Sequence, residues 1–147
     1  MKTMTVSGLD IDESMYLENK PFGLMLEALD DLKKNEVYIC AGTSPSYALW
    51  GELMSVRAKK LGAAGAVVNG YHRDTKGILD MGFSTFSLGS YAKDQAPRGK
   101  VVDFRSSIEI NGVIVNSGDY VIGDRDGVCI VPFDVSTEVF NVHERRR

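Results

Sequence analysis

The sequence predicts an α/β fold whose sheet is parallel in its first part and antiparallel in its last. Three observations carry that expectation. From Glu36 to Leu88 short apolar runs alternate with helical periods in the order strand, helix, strand, helix, strand, the signature of a parallel sheet with right-handed crossovers. From Val101 onward the runs shorten and tight-turn pairs separate them; Asn111-Gly112 is the strongest, because both turn positions need positive φ. Finally, 147 residues with 44% hydrophobic content are the size of one domain able to bury a sizeable core, so residues 1–147 read as a single α/β domain.

Taken in order, Lys2 to Gly8 reads as a strand in which Met4 and Val6 alternate with Thr3, Thr5 and Ser7. Asp10 to Lys20 is acidic and polar and reads as a loop. Pro21 then opens an amphipathic helix with Phe22, Leu24, Met25, Leu26, Leu29 and Leu32 as its apolar stripe. Lys33-Lys34-Asn35 closes it with the charges a helix C-terminus favours. Glu36 to Ala41 is the next strand. Gly42 to Trp50 admits two readings, because Ser44-Pro45 is a good N-cap with Pro at the first helical position, yet Gly51 costs about 1 kcal/mol inside a helix. A turn or short helix, with the main helix starting near Gly51, is preferred to one unbroken helix from Pro45 to Leu61. The unbroken helix would place Glu52 mid-helix without free amides.

Ala66-Val67-Val68 is a continuous apolar run, as a strand covered on both faces requires. Thr75 to Met81 forms a short helix and Ser84 to Leu88 another strand. After a loop from Gly89 to Gly99, Val101 to Phe104 is a strand, and Ile108 to Ile110 pairs with Val113 to Val115 around Asn111-Gly112. Tyr120 to Ile122 and Val128 to Val131 are two more strands. Asp124-Arg125-Asp126-Gly127 between them is a turn, since it lacks the further acids and closing Glu of a calcium loop. Asp134 to Phe140 makes a short terminal helix.

Composition excludes several functions. A net charge of −3 and a pI near 5.4 argue against a nucleic-acid footprint, which needs a concentrated basic surface. Lys59-Lys60 reads as a solvated helix face and Arg145-Arg146-Arg147 as a terminus. No apolar run approaches the roughly 20 residues that span a bilayer, and no basic-then-apolar leader is present, so the expectation is a cytoplasmic protein that does not engage membranes. Cys40 and Cys129 each sit in an apolar, strand-like run without CxxC spacing, which predicts buried thiols without metal or redox roles. No Gly-x-Ser-x-Gly elbow and no Gly-Lys-Ser/Thr phosphate cradle occurs.

The candidate chemistry lies in Gly51-Glu52-Leu53-Met54 and in His72-Arg73-Asp74. Gly51 to Gly62 supplies about eleven helical residues, roughly 16 Å, and Gly65 to Gly70 about six strand residues, roughly 20 Å. If the helix runs antiparallel to the strand, Glu52 at its start meets Arg73-Asp74 just past the strand end. The free amides of Leu53 and Met54 and the positive end of the helix dipole suit a carboxylate or phosphate. Arg73 offers a planar fork for bidentate grip of a carboxylate. Asp74 can hold a hard divalent cation, since Mg²⁺ commonly takes one or two carboxylates plus waters and substrate oxygens. His72 has no evident partner at catalytic spacing and reads as structural.

At these residues the chain resembles the RraA-like family, which includes the ribonuclease E regulator and the class II pyruvate aldolases acting on 4-hydroxy-4-methyl-2-oxoglutarate. The resemblance runs through Gly51-Glu52-Leu53-Met54, Gly65-Ala66-Val67-Val68-Asn69-Gly70, Arg73-Asp74, Met81-Gly82-Phe83, Gly118-Asp119 and Asp124-Arg125-Asp126-Gly127-Val128. It implies a swivelling β/β/α fold, a homotrimer or multiple of trimers, and a small 2-oxo acid substrate. The Arg matching Arg73 and the amides matching Leu53 and Met54, next to Gly51, would hold the pyruvyl portion. The Asp matching Asp74 would carry Mg²⁺ or Mn²⁺, and the acid matching Glu52 would help position a water that moves protons. The implied activity is a metal-dependent lyase that releases pyruvate, by aldol cleavage or by decarboxylation of oxaloacetate. The family's ribonuclease-regulating members supply the alternative, a non-catalytic protein that binds a partner.

The chain departs from the family's pattern at four places. Glu52 stands where the aldolases usually have Asp, and Gly77 stands where many relatives place another acid. The chain begins at what resembles a strand well inside longer relatives, which predicts that their N-terminal segment is lacking. After Val135 it departs from their long C-terminal helix.

Overall fold

Strand β1 (Lys2–Asp10) is the spine of the molecule, because three other strands pair with it. On one edge it runs parallel to β2 (Glu36–Ala41), in register from Lys2↔Glu36 to Ser7↔Ala41. On the other it is antiparallel to β10 (Tyr120–Asp124) at Lys2 and to β7 (Gly99–Phe104) from Val6 to Asp10. Beyond β2 the parallel part continues through β4 (Gly65–Val68) to β6 (Thr85–Phe86), and beyond β10 the antiparallel part ends at β11 (Gly127–Val131). The sheet therefore changes from parallel to antiparallel within one strand, the mixed α/β architecture the sequence predicts. The computed structural model describes residues 1–12 and 20–145; part of the acidic segment after Asp10 and the final two arginines lie outside them.

The alternation in β1 sorts the two faces. Met4 and Val6 join Tyr38, Cys40, Ala66 and Val68 in the main core, covered by α1 (Met25–Asp30), α2 (Glu52–Lys60) and α3 (Thr75–Met81) through Met25, Leu29, Ala58 and Ile78. Thr3 and Thr5 are also fully buried, because their hydroxyls donate to the carbonyls of Asn116 and Ser106 at 2.9 and 2.5 Å. On that face Ile39 and Ala41 pack against Ile108 and Val115 of the hairpin β8 (Ile108–Ile110) and β9 (Val113–Val115). Asn111 and Gly112 turn that hairpin with φ of 48° and 82°.

Four expectations are corrected. The helix predicted from Pro21 begins at Met25, since the preceding residues pair with β7 instead: Leu24 N–H donates to Val101 O and Val101 N–H to Phe22 O. It also ends at Asp30, so Lys33-Lys34-Asn35 does not close it. The segment before Gly51 is neither turn nor short helix at its end but β3 (Ala48–Trp50), whose three residues are all buried. Cys129 is exposed while Cys40 is buried, because β11 is an edge strand with only one neighbour. The terminal helix α4 runs Ser136–Arg145, after a 3-10 turn at Phe133–Val135. No helix among the described residues is long and apolar enough to cross a membrane.

Candidate active-site cleft

A pair of short strands builds the junction. β3 and β5 (Tyr71–His72) lie parallel as a separate two-stranded sheet, with Ala48 opposite Tyr71 and Trp50 opposite His72. The Arg73 N–H extends the ladder by donating to Trp50 O at 2.9 Å. This pairing sets Gly51-Glu52 beside Arg73-Asp74, so the two sequence-predicted segments do meet. Strand β3, which sequence reasoning missed, is what aligns them.

The start of α2 is locked from below. Trp50 is 1% exposed, with ring centroids 4.9 Å from Tyr38 and 6.0 Å from Phe83. Its indole N–H donates to Ser55 Oγ at 2.7 Å, and Ser55 Oγ donates to Gly51 O at 2.8 Å. The first intrahelical bond is Ser55 N–H to Gly51 O, which leaves the amides of Glu52, Leu53 and Met54 without helical acceptors. Asp74 takes the first of these: its Oδ2 accepts the Glu52 N–H at 3.1 Å. Gly51 permits that approach, since a Cβ there would stand 2.8 Å from Asp74 Oδ2. The Leu53 and Met54 amides, at the same helix start, have no intrahelical acceptor.

Asp74 occupies the N-cap position of α3 in a left-handed conformation, φ 59° and ψ 40°, yet makes no side-chain bond to that helix. Its carboxylate is instead turned to the neighbouring helix, and the backbone geometry costs a non-glycine residue about 1 kcal/mol. Glu52 is exposed, and its carboxylate lies over Gly77 of α3 with no hydrogen-bond or ionic partner among the described residues. Asp74, Arg73 and the helix N-terminus thus converge on one edge, with the Glu52 side chain leaving that edge toward α3.

Arg73, Asp74 and the start of α2 border a cleft of about 400 Å³, a size that suits a small ligand, while the Glu52 carboxylate lies outside its lining. Arg73, Asp74, Asp94 and Gln95 form its polar side, and Phe22, Met25, Leu26, Leu29, Leu53 and Met54 its apolar side. Arg73 Nη2 faces Asp94 at 3.6 Å, with both side chains about two-fifths exposed. Such an exposed pair is worth at most about 1 kcal/mol, so an anionic ligand can displace it. Across the mouth Arg57 Nε donates to Asp30 Oδ1 at 2.8 Å and ties α2 to α1.

His72 is structural in its contacts, as expected: its ring nitrogens meet Ser87 Oγ at 2.7 Å and Thr75 Oγ1 at 2.8 Å. Sequence reasoning missed Asp94, Gln95 and Arg57. The first two sit on an irregular loop without any motif, and Arg57 reads as one more charge on a helix face. Among the described residues no group of three or more His, Cys, Asp or Glu side chains could enclose a metal ion.

Comparison with known proteins agrees with this architecture. A family model described as RraA-like, aldolase/RraA, matches residues 3–130. A Bacillus cereus protein named "Putative 4-hydroxy-4-methyl-2-oxoglutarate aldolase" is 32% identical over 108 residues, which cover 73% of this chain and 67% of that protein. DlpA of Legionella pneumophila is 29% identical over 114 residues, 77% of this chain but 18% of its own length, so the chain spans under a fifth of that relative. Among solved structures, Streptomyces coelicolor RraAS2, described as an unusual member of the RNase ES inhibitor RraA family, superposes with a TM-score of 0.85. That match covers 99% of this chain and 70% of the other at 19% identity, a likeness of fold alone.

Proposed function

This chain belongs to the RraA-like family, and from that premise we propose that its cleft houses a divalent-cation-dependent carbon–carbon lyase. The substrate class is a small 2-oxo dicarboxylate, cleaved to release pyruvate. The reaction is retro-aldol cleavage of 4-hydroxy-4-methyl-2-oxoglutarate, decarboxylation of oxaloacetate, or both. The observation that carries the reading is the convergence of Arg73, Asp74 and the unpaired amides at the start of α2 on one cleft, with Glu52 beside it at the helix start.

Mg²⁺ or Mn²⁺ fits the donor set. Asp74 is a hard oxygen donor with Oδ1 uncommitted, and without a protein cage the rest of the ion's shell would come from water and substrate oxygens. When bound there, the cation supplies positive charge beside the 2-oxo oxygen, where negative charge develops during cleavage. The chain's own residues do the remainder. Arg73 grips the carboxylate next to the 2-oxo group through its fork. The Leu53 and Met54 amides donate to the same end. A water positioned by the Glu52 carboxylate beside the cleft takes the proton of the 4-hydroxyl as the C3–C4 bond breaks and passes its excess proton to that carboxylate; C4 becomes a carbonyl, and C3 keeps the electron pair as the enolate of pyruvate until it is reprotonated. The apolar wall from α1 limits water around that carbanionic carbon.

Pyruvate release is measured from both substrates with Mg²⁺ and with excess chelator. Metal-dependent turnover that drops by about 10²–10³-fold in Arg73→Ala and Asp74→Ala is the expected result. Turnover indifferent to both substitutions would sink the proposal. One contact favours a second reading, a non-catalytic regulator that binds a ribonuclease: Arg73 is paired internally to Asp94. Recovery of a stable partner together with absent turnover would favour it.

A further inference from the structure

We infer that the side-chain amide of Gln95 reads a second carboxylate of the ligand, other than the one Arg73 holds, and thereby selects a 2-oxo dicarboxylate over a 2-oxo monocarboxylate. The inference rests on the 2-oxo acid reading of the cleft. Gln95 is only 3% exposed, yet its side-chain amide makes no hydrogen bond among the described residues. The other buried polar side chains do not share that state. Thr3, Thr5, Ser55 and Ser136 each donate to a backbone carbonyl, and Asp119 accepts the amides of Asn116 and Phe133.

The backbone of Gln95 is fully committed, which isolates the amide as the one unspent polar group of the residue. Its N–H donates to Asp94 Oδ1 at 2.8 Å, and its carbonyl accepts the N–H groups of Arg98 and Gly99 at 2.6 and 2.8 Å. The segment is pinned to β3 by Ala48 N–H donating to Lys93 O at 2.8 Å. The amide is not sealed from solvent, since among the described residues Thr43 Oγ1 alone is a fully buried side-chain polar atom without a partner. A carboxamide that reaches the cleft without a protein partner is left to bond a ligand.

Position and chemistry agree on the ligand. Gln95 borders the same cleft as Arg73, and Asp94 joins the two by facing Arg73 Nη2 at 3.6 Å while accepting the backbone N–H of Gln95. The guanidinium and the α2 amides suit the 2-oxo carboxylate. An uncharged amide can donate to a second carboxylate without forming a charge pair with neighbouring Asp94. A site built to hydrogen-bond a ligand group discriminates strongly against the analogue lacking it.

Calorimetry with Mg²⁺ tests this on the whole chain, using 2-oxoglutarate, which lacks the 4-hydroxyl the cleavage needs, and pyruvate, the reaction's product. Wild type should prefer 2-oxoglutarate. Gln95→Met should weaken 2-oxoglutarate at least tenfold while pyruvate stays within twofold. Gln95→Glu should reject 2-oxoglutarate still more, through like charge. Equal losses for both ligands or an unchanged preference in Gln95→Met would overturn the inference while leaving the lyase reading intact. Failure of wild type to bind either acid would instead overturn the lyase reading and this inference with it.

Discussion

The carboxylate of Glu52 occupies the space beside Gly77 where a side chain would begin: a Cβ built there would stand 2.5 Å from Oε2 and 2.7 Å from Oε1. Two departures from the pattern the chain resembles, a longer acid at 52 and no acid at 77, are therefore one change. The extra methylene of Glu52 carries its carboxylate over α3, into the room that the glycine leaves.

That coupling makes Gly77→Ala informative. Alanine is favoured over glycine inside α3 by about 1 kcal/mol, and the obstructing atoms are the mobile end of Glu52, so stability should hold or rise. Turnover should fall by about tenfold as the carboxylate is pushed aside, since ångström-scale misplacement has such effects. Shortening the acid with Glu52→Asp in the Gly77→Ala background should restore part of the loss. A double-mutant cycle in pyruvate release that shows strict additivity would contradict the coupling.

Much of this arrangement was legible in the sequence, for physical reasons that also explain the failures. Glu36–Ala41 and Thr75–Met81 were read with their observed bounds because each is framed by unambiguous breakers, and Gly51 marked the true start of α2. The Pro21 signal failed because a long-range ladder with Val101 outcompeted local propensity at Phe22 to Leu24. β3 is three residues long and pairs only with two-residue β5, too short for any period to register. Asp94 and Gln95 became visible only when the loop folded back against β3, a contact between distant residues that no local spacing encodes.

The bond from Trp50 to Ser55 predicts a stability effect separable from ligand binding. Ser55→Ala leaves a fully buried indole N–H unpaired and frees Gly51 O from its side-chain donor. A loss of about 1–3 kcal/mol in urea unfolding is expected. Ser55→Thr, which keeps the hydroxyl, should recover part of it if its methyl is accommodated. An Ser55→Ala protein as stable as wild type would show that the indole finds another acceptor.

The two cysteines should react very differently. Burial pushes the Cys40 thiol up to about 12, so at neutral pH it is protonated as well as shielded. Cys129 is exposed on the edge strand. A chromogenic disulfide reagent should therefore titrate one thiol in native protein and two in denaturant, and Cys129→Ser should abolish the native signal. Rapid labelling of both thiols without denaturant would contradict the packing of Cys40 between β1 and β4.

Arg105 should govern the acid limb of stability. Its guanidinium donates to both Glu36 oxygens at 2.9 Å, to Asp31 O at 2.8 Å and to the Asp31 carboxylate, tying the end of β7 to the start of β2. Hydrogen bonds from Arg105, and then from Lys33, hold the Asp31 carboxyl below the usual carboxylate range. A folded-state pKa below the unfolded one adds stability above the unfolded value of about 3.9. That contribution disappears as pH falls through the folded value. Because Asp31 is partly exposed, solvent screening keeps the effect modest. Arg105→Gln should lower the urea midpoint at pH 7 and flatten its decline between pH 5 and 2, whereas Arg105→Lys, with charge but no fork, should restore only part of the pH 7 stability. An acid limb of unchanged steepness in Arg105→Gln would place the titrating carboxylates elsewhere.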